Sequence, residues 1–280
     1  VPVTPTELVL VAIAVLFIGA ADAFGGHASR RAAPFSVAAW SQALGIPVVL
    51  LGALVIGGEL LARDLLLGMV AGCGSALGVV ALYRGFRVAS VGIVAPIASA
   101  VAAALPIILG LTAGERPSLL VAGGVLLAVS SIFLVSYVPS EGGFSLSGIL
   151  HGIGSGGGFG VMVIAYAATS EASGIWSAVS GRTTAAVVAG LAVVVTRAEV
   201  RIPLGVRSST TLAGVLAAVG MIAFVTVSQT ADLIVLGVTL GLFPTTTVVF
   251  AAMFLHDRLS HSQWLGIGAA AVAVTLMSIA

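Results

Sequence analysis

With 280 residues, 59% of them hydrophobic and only 8% charged, and a mean hydropathy of +1.23, the chain falls outside the range of soluble globular domains and within that of polytopic membrane proteins. Its eleven basic residues are all arginine and ten acids nearly cancel them, so a net charge of +1 leaves no polyanion-binding surface and excludes nucleic acid as a partner. The single cysteine, Cys73, lies in an apolar segment, which leaves no internal disulfide and no cysteine-based metal site.

A bilayer core of about 30 Å takes roughly 20 apolar helical residues per crossing. Ten such runs follow one another at 7–27, 34–56, 64–82, 91–113, 117–138, 146–169, 174–196, 209–228, 233–255 and 261–280, which predicts an all-α polytopic membrane protein with ten transmembrane helices. The first run, closing on "GAADAFGGHASRR", has no basic leading segment and no clear cleavage site, and is read as a retained helix. The connections are short, the longest holding about a dozen residues, so they leave no room for an extramembrane catalytic domain. Function therefore has to reside within the spans, and neither an HExxH nor a Gly-x-Ser-x-Gly pattern is there to suggest an enzyme.

Ionisable residues inside a span cost a few kcal/mol on insertion scales, which makes each a functional candidate. Asp22 shares a helical face with Val15, Ile18, Gly19, Gly25, Gly26 and Ser29, a glycine stripe that implies close approach of another helix and an inward-pointing acid. It can serve as a substrate-amine or proton-coupling site, or as a structural acid bonded to a neighbouring helix end. Arg182 lies too deep in the seventh span to snorkel and needs an acceptor, either a substrate anion or an ion pair with Asp22, Asp232 or a helix C-terminus. Near a register of 140 its counterpart in the second span is Gln42, so the two positions offer a cation and a neutral amide suited to a carboxylate.

His151 opens "HGIGSGGGFG", which fits the G-x-G-x-x-G dinucleotide fingerprint but lies in an apolar span rather than a soluble βαβ unit, so that reading is rejected. Gly154 and Gly158 are instead expected to thin or break the helix, with His151 as a proton relay or a hydrogen-bonded structural histidine. Pro96, Pro106 and Pro244 remove helix hydrogen bonds and are hinge or kink candidates, while Thr245, Thr246 and Thr247 offer hydroxyls to a ligand or to the freed carbonyls. Trp40, Tyr166 and Trp176 are aromatic candidates for a cavity wall, with an interfacial belt as the alternative for Trp176 and Tyr137. His256 and His261 flank Asp257 but share no helix face, so no metal site is expected. Glycine pairs four apart, Gly68/Gly72, Gly110/Gly114, Gly154/Gly158 and Gly237/Gly241, point to close helix packing.

The two halves repeat. "GERPSLLVAGGVLLAVSSIFLVS" from Gly114 meets "HDRLSHSQWLGIGAAAVAVTLMS" from His256 at a register of 142, with Glu115 over Asp257, Arg116 over Arg258, Ser118 over Ser260 and Gly124 over Gly266. Five crossings per copy turn the second copy upside down, so the expected organisation is two inverted five-helix repeats, residues 1–142 and 143–280, with a site near the midplane between them.

The stretches "GAADAFGGHASRR", "ALYRGFRVASVGIVAPIASA", "GERPSLLVAGGVLLAVSSIFLVS" and "GLFPTTTVVFAAMFLHDRLSHSQWLGIG", in this order, resemble the drug/metabolite transporter superfamily and specifically its EamA-type ten-helix members. The resemblance implies a secondary-active carrier that moves small organic metabolites, often amino acids, usually outward, in a prokaryotic cytoplasmic membrane; it also implies an arginine in the seventh helix, where Arg182 stands. Two positions depart from the pattern: Asp257 replaces the usual glutamate, and the fourth span carries Pro106 four residues beyond the position aligned with Pro244. The expected partners are a small-molecule substrate and membrane lipid, with a monomer or homodimer and no cofactor beyond proton coupling through Asp22. A lipid or lipid-linked flippase, or a channel-like facilitator, is the alternative. For orientation, arginines concentrate in loops opposite the termini, which places the termini outside, whereas the resemblance places them in the cytoplasm.

Overall fold

The computed structural model describes residues 5–89, 91–136, 146–255 and 260–278. These form α1 (Pro5–Ser29), α2 (Pro34–Ile56), α3 (Ala62–Val88), α4 (Val91–Thr112), α5 (Leu119–Ser136), α6 (Leu146–Ala167), α7 (Trp176–Val195), α8 (Leu204–Ser228), α9 (Leu233–Gly241), α10 (Phe243–Leu255) and α11 (His261–Ser278), with one 3-10 turn at Glu171–Ser173 and no strand among the described residues. Six of them, α1, α2, α3, α6, α7 and α8, are long and apolar enough to cross a membrane, and shorter apolar segments run through Ile97–Thr112 and Ala122–Ser131. The chain is an integral, multi-pass, all-helical membrane protein.

Local chemistry sets the boundaries. Pro34 opens α2 in its first turn, where the missing N–H has no partner to lose. Gly57 closes the same helix at φ +80 with its amide on the Ala53 carbonyl, a conformation that strains any residue with a Cβ. The helix expected over 64–82 runs on to Val88 and the one expected from 209 begins at Leu204. Arg84 and Arg87 in α3 and Arg207 in α8 end an apolar run without ending a helix. The ninth expected crossing is two helices. Pro244 stands in the first turn of α10, and the Leu242 amide closes α9 by bonding the Val238 and Thr239 carbonyls at 3.1 and 3.2 Å. Pro47 in α2 and Pro96 and Pro106 in α4 leave those helices continuous. Tyr137, His256, Asp257 and Arg258 lie outside the described residues.

The helices pack through glycine. α3 meets α7 where Gly68 and Gly72 make room for the Ser177 and Gly181 carbonyls, and meets α6 where Gly74 and Gly78 face Gly158. Gly156 seats α6 on Ala98 and Ala102 of α4, Gly214 seats α8 on Ser41 of α2, and Gly220 seats α8 on Ala14 and Ile18 of α1. α1 also packs on α10, α2 on α7, α4 on α9 and α5 on α11. Two of the glycine pairs behave differently from the expectation: Gly114 lies in the turn after α4 at φ +97, and Gly154 is exposed, with only Ala81 nearby.

Hydrogen bonds between connections define two ends. At one, the Glu59 amide bonds the Ala172 carbonyl at 2.8 Å, and Gln229 Nε2 donates to Thr169 Oγ1, the Ser170 carbonyl and the Gly174 carbonyl at 3.2, 3.1 and 2.8 Å. This gathers the α2–α3, α6–α7 and α8–α9 connections. At the other, Ser36 Oγ donates to the Glu199 carbonyl at 2.5 Å and Trp40 Nε1 to the Val200 carbonyl at 3.0 Å, joining the start of α2 to the α7–α8 connection.

A side chain on Gly158 would collide with the backbone of Gly74 and Gly78, which cannot rotate away. Gly158→Val is expected to lower thermal stability in detergent by about 1–3 kcal/mol, the usual cost of overpacking. Gly157→Ala, at a position with open space around it, should stay within about 0.5 kcal/mol of the parent.

Candidate functional site

Arg182 sits in the second turn of α7 and is 5% exposed. Its guanidinium lies against Gly45 of α2, where a Cβ would displace it. Nη2 donates to the Gly214 carbonyl of α8 at 2.8 Å and to the Ser41 carbonyl of α2 at 3.4 Å, while Nε is buried without a hydrogen-bond partner among the described residues. Among the described residues the arginine is therefore held by backbone carbonyls rather than by a carboxylate. Carbonyl dipoles offset part of the desolvation cost of the cation, and the unused Nε leaves one charge-assisted donor for something else.

Gln42, one residue beyond Ser41, lies on the same helix that receives Arg182. Its Nε2 donates to Ser75 Oγ of α3 at 3.2 Å and its Oε1 is buried without a partner among the described residues. The two positions related by sequence register thus belong to helices that pack together, each presenting an unused hydrogen-bonding atom: a donor on Arg182 and an acceptor on Gln42. Two buried tyrosines complete the group. Tyr166 of α6 places its hydroxyl against Gly181, next to Arg182, and Tyr83 of α3 places its hydroxyl against Gly25 of α1.

Asp22, one turn before Gly25, is half-buried on α1. The glycine stripe around it does what its spacing predicts: Gly19 admits Thr246 of α10, Gly25 admits Tyr83 and Gly26 faces Phe86. Thr246 donates to the Val15 and Phe243 carbonyls, both at 2.8 Å, and Thr247 to the Phe243 carbonyl at 2.9 Å, so these hydroxyls brace the α9–α10 break. Thr245, Ser155 of α6 and Ser177 of α7 are buried with hydroxyls that have no partner among the described residues.

Among the described residues none of the remaining candidates shares a side-chain hydrogen bond with this group. Trp40 is 44% exposed and ties α2 to Val200. Trp176 is half-buried at the start of α7, against the apolar core. His151 bonds within its own helix, Nδ1 lying 2.7 Å from the Ser147 carbonyl. Pro106 is buried against Gly237 of α9. Tyr83 and Ser75 did not emerge as candidates from the sequence, although their spacing of eight puts them near one helix face. Asp64 and Glu115 also went unnoticed as working acids: Asp64 is buried and accepts the Ser170 amide at 2.9 Å, and Glu115 accepts the amides of Leu233 and Ile234 at 2.9 and 3.0 Å. No group of three or more potential metal ligands occurs among the described residues.

The comparisons agree with this architecture. A solved crystal structure of a protein superposes with a TM-score of 0.79 at 14% identity, over 98% of this chain and 96% of that one, a likeness of fold. No curated protein matches the chain in sequence. The model of the EamA-like transporter family matches residues 5–137. Over that stretch, which holds α1 to α5 with Asp22, Gln42 and Tyr83, the chain is similar to the EamA-like transporter family.

Proposed function

We propose that the protein is a secondary-active carrier of small organic metabolites, amino acids or related compounds, exporting them from the cytoplasm of a prokaryotic cell by alternating access. In this reading residues 1–142 and 143–280 are inverted five-helix halves, each crossing the membrane five times, with α9 and α10 together making one crossing. The packing pattern supports the exchange of halves. α1 on α8 has its counterpart in α6 on α3, α2 on α8 in α7 on α3, and α4 on α6 in α9 and α10 on or near α1, while α2 on α7, α4 on α9 and α5 on α11 map onto themselves.

The observation that carries the reading is Arg182: a buried cation between helices of the two halves, held by carbonyls, its Nε without a partner among the described residues, lying against Gly45 of the helix that also carries Gln42, whose Oε1 is likewise without one. An unmatched buried polar atom costs about 1–3 kcal/mol, which a polar ligand at this position would recover. A substrate carboxylate would accept from Nε, and a substrate N–H would donate to Gln42. Asp22, on the far side of Tyr83, is the natural partner for an ammonium group or a transported proton. Contacts of this kind bias the two access states only if they differ between them, and the location of Gln42 and Arg182 on opposite halves makes their separation sensitive to a rocking motion.

In a thermal-shift screen of purified protein against amino acids, nucleosides, sugars and cationic drugs, carboxylate-bearing amino acids are expected to stabilise the parent chain, by about 2.7 kcal/mol at a hundredfold excess over Kd. Arg182→Lys, which keeps the charge but loses the planar fork, is expected to weaken that binding at least about tenfold. Stabilisation by carboxylates that Arg182→Lys leaves unchanged would remove Arg182 from the site. For coupling, Asp22→Asn is expected to abolish the acceleration of uptake by a pH gradient in proteoliposomes; pH-driven uptake equal to that of the parent chain would exclude Asp22 as the proton carrier.

A further inference from the structure

Glu115 does something that no packing requirement asks of it. Its amide bonds the Gly110 carbonyl at 2.9 Å, which folds the turn after α4 back on itself, and the carboxylate lies against Gly110, where a side chain would displace it. From there its two oxygens accept the amides of Leu233 and Ile234, the first two of α9, at 2.9 and 3.0 Å. Those amides have no partner within their own helix, and an anion is favoured at that end of the helix dipole. One carboxylate of the first half thus completes a helix of the second.

Two more acids of the first half act at the same end. Thr230 Oγ1 donates to Glu7 Oε1 at 2.9 Å, and the Ser170 amide donates to Asp64 Oδ2 at 2.9 Å. At the opposite end the side-chain bonds described above between the halves, from Ser36 and Trp40, involve no carboxylate. α9 itself is only nine residues long and is separated from α10 by the break at Leu242. It rests on α4 through Gly237, which faces Ala103 and Pro106. A short helix hinged at one end and pinned by a carboxylate at the other is able to swing as a piece.

We infer that Glu115 is the latch of a gate: its cap on α9 holds this end of the bundle shut, and its release lets α9 part from α4 in the other access state. The inference rests on the two-half carrier reading above, and a purely structural cap is the competing account.

The test is labelling of Val238→Cys, on the buried face of α9, by a membrane-impermeant maleimide in a Cys73→Ser background, without substrate. Glu115→Ala, which loses both acceptors, is expected to speed labelling roughly tenfold, in keeping with the worth of a helix cap. Glu115→Gln keeps the shape and one amide oxygen, and is expected to fall between; Arg116→Ala, the exposed neighbour, should leave the rate at its parent value. Unchanged labelling in both Glu115 variants, with size-exclusion elution matching the parent, would overturn the latch and leave a structural cap. Faster labelling in a chain that carries no solute flux would sink the carrier reading while keeping the latch, so the two failures are distinguishable.

Discussion

Hydrocarbon gives two apolar helices no reason to associate, since lipid tails hide their side chains as well as another helix does. Association has to come from close contact, and in this bundle close contact comes from glycine. Carbonyls of α7 lie in the gaps left by Gly68 and Gly72, α6 and α3 meet at Gly158, Gly74 and Gly78, and α8 reaches α2 and α1 at Gly214 and Gly220. The same device makes room for function. Gly45 is the gap that lets the Arg182 guanidinium lie between α7, α2 and α8, and Gly25 and Gly181 are the gaps that receive the hydroxyls of Tyr83 and Tyr166.

A charge at this depth is tolerable only if its surroundings are polar in the right sense. Carbonyls from two helices supply that for Arg182, so the cation does not depend on a carboxylate and Asp22 stays available. The consequence is a polar group spread over five helices, with Asp22 on α1, Gln42 on α2, Ser75 and Tyr83 on α3, Tyr166 on α6 and Arg182 on α7. In the proposed carrier, contributions from both halves of the chain would meet there, the arrangement a rocking mechanism needs at its pivot.

Much of this was legible in the sequence. Helices along the described chain followed from apolar runs of membrane length, and the glycine stripe around Asp22 correctly announced a close helix neighbour. Arg182 and Gln42, related by register in the sequence, lie on helices that pack together, which the register by itself does not imply. What escaped the reading has a physical pattern. Arg84, Arg87 and Arg207 ended the apolar runs early, because hydropathy measures the solvent and not the backbone. The division of the ninth crossing at Leu242 depends on where Pro244 falls relative to a helix start, a distinction that composition does not make. Asp64 and Glu115 gave no sign of their roles, Glu115 standing out only as the counterpart of Asp257 in the repeat, since their work is to accept backbone amides from segments more than 100 residues away. Trp40 read as a cavity residue because indole suits both a cavity wall and an interface, and only the position of the Val200 carbonyl places it at the rim.

A pivot built from two halves, one carrying the cation and the other the amide, accounts at once for the deep arginine, the unpartnered atoms beside it and the carboxylates that tie one end of the bundle. It requires the solute site to face one side at a time. Counterflow in proteoliposomes tests that requirement most directly: vesicles preloaded with an unlabelled amino acid that binds the protein, then exposed to the labelled compound. The account predicts uptake that saturates with external concentration and is accelerated by the preloaded solute. Flux that rises linearly with concentration and ignores the preload would contradict it, because a continuously open path moves solute in just that way.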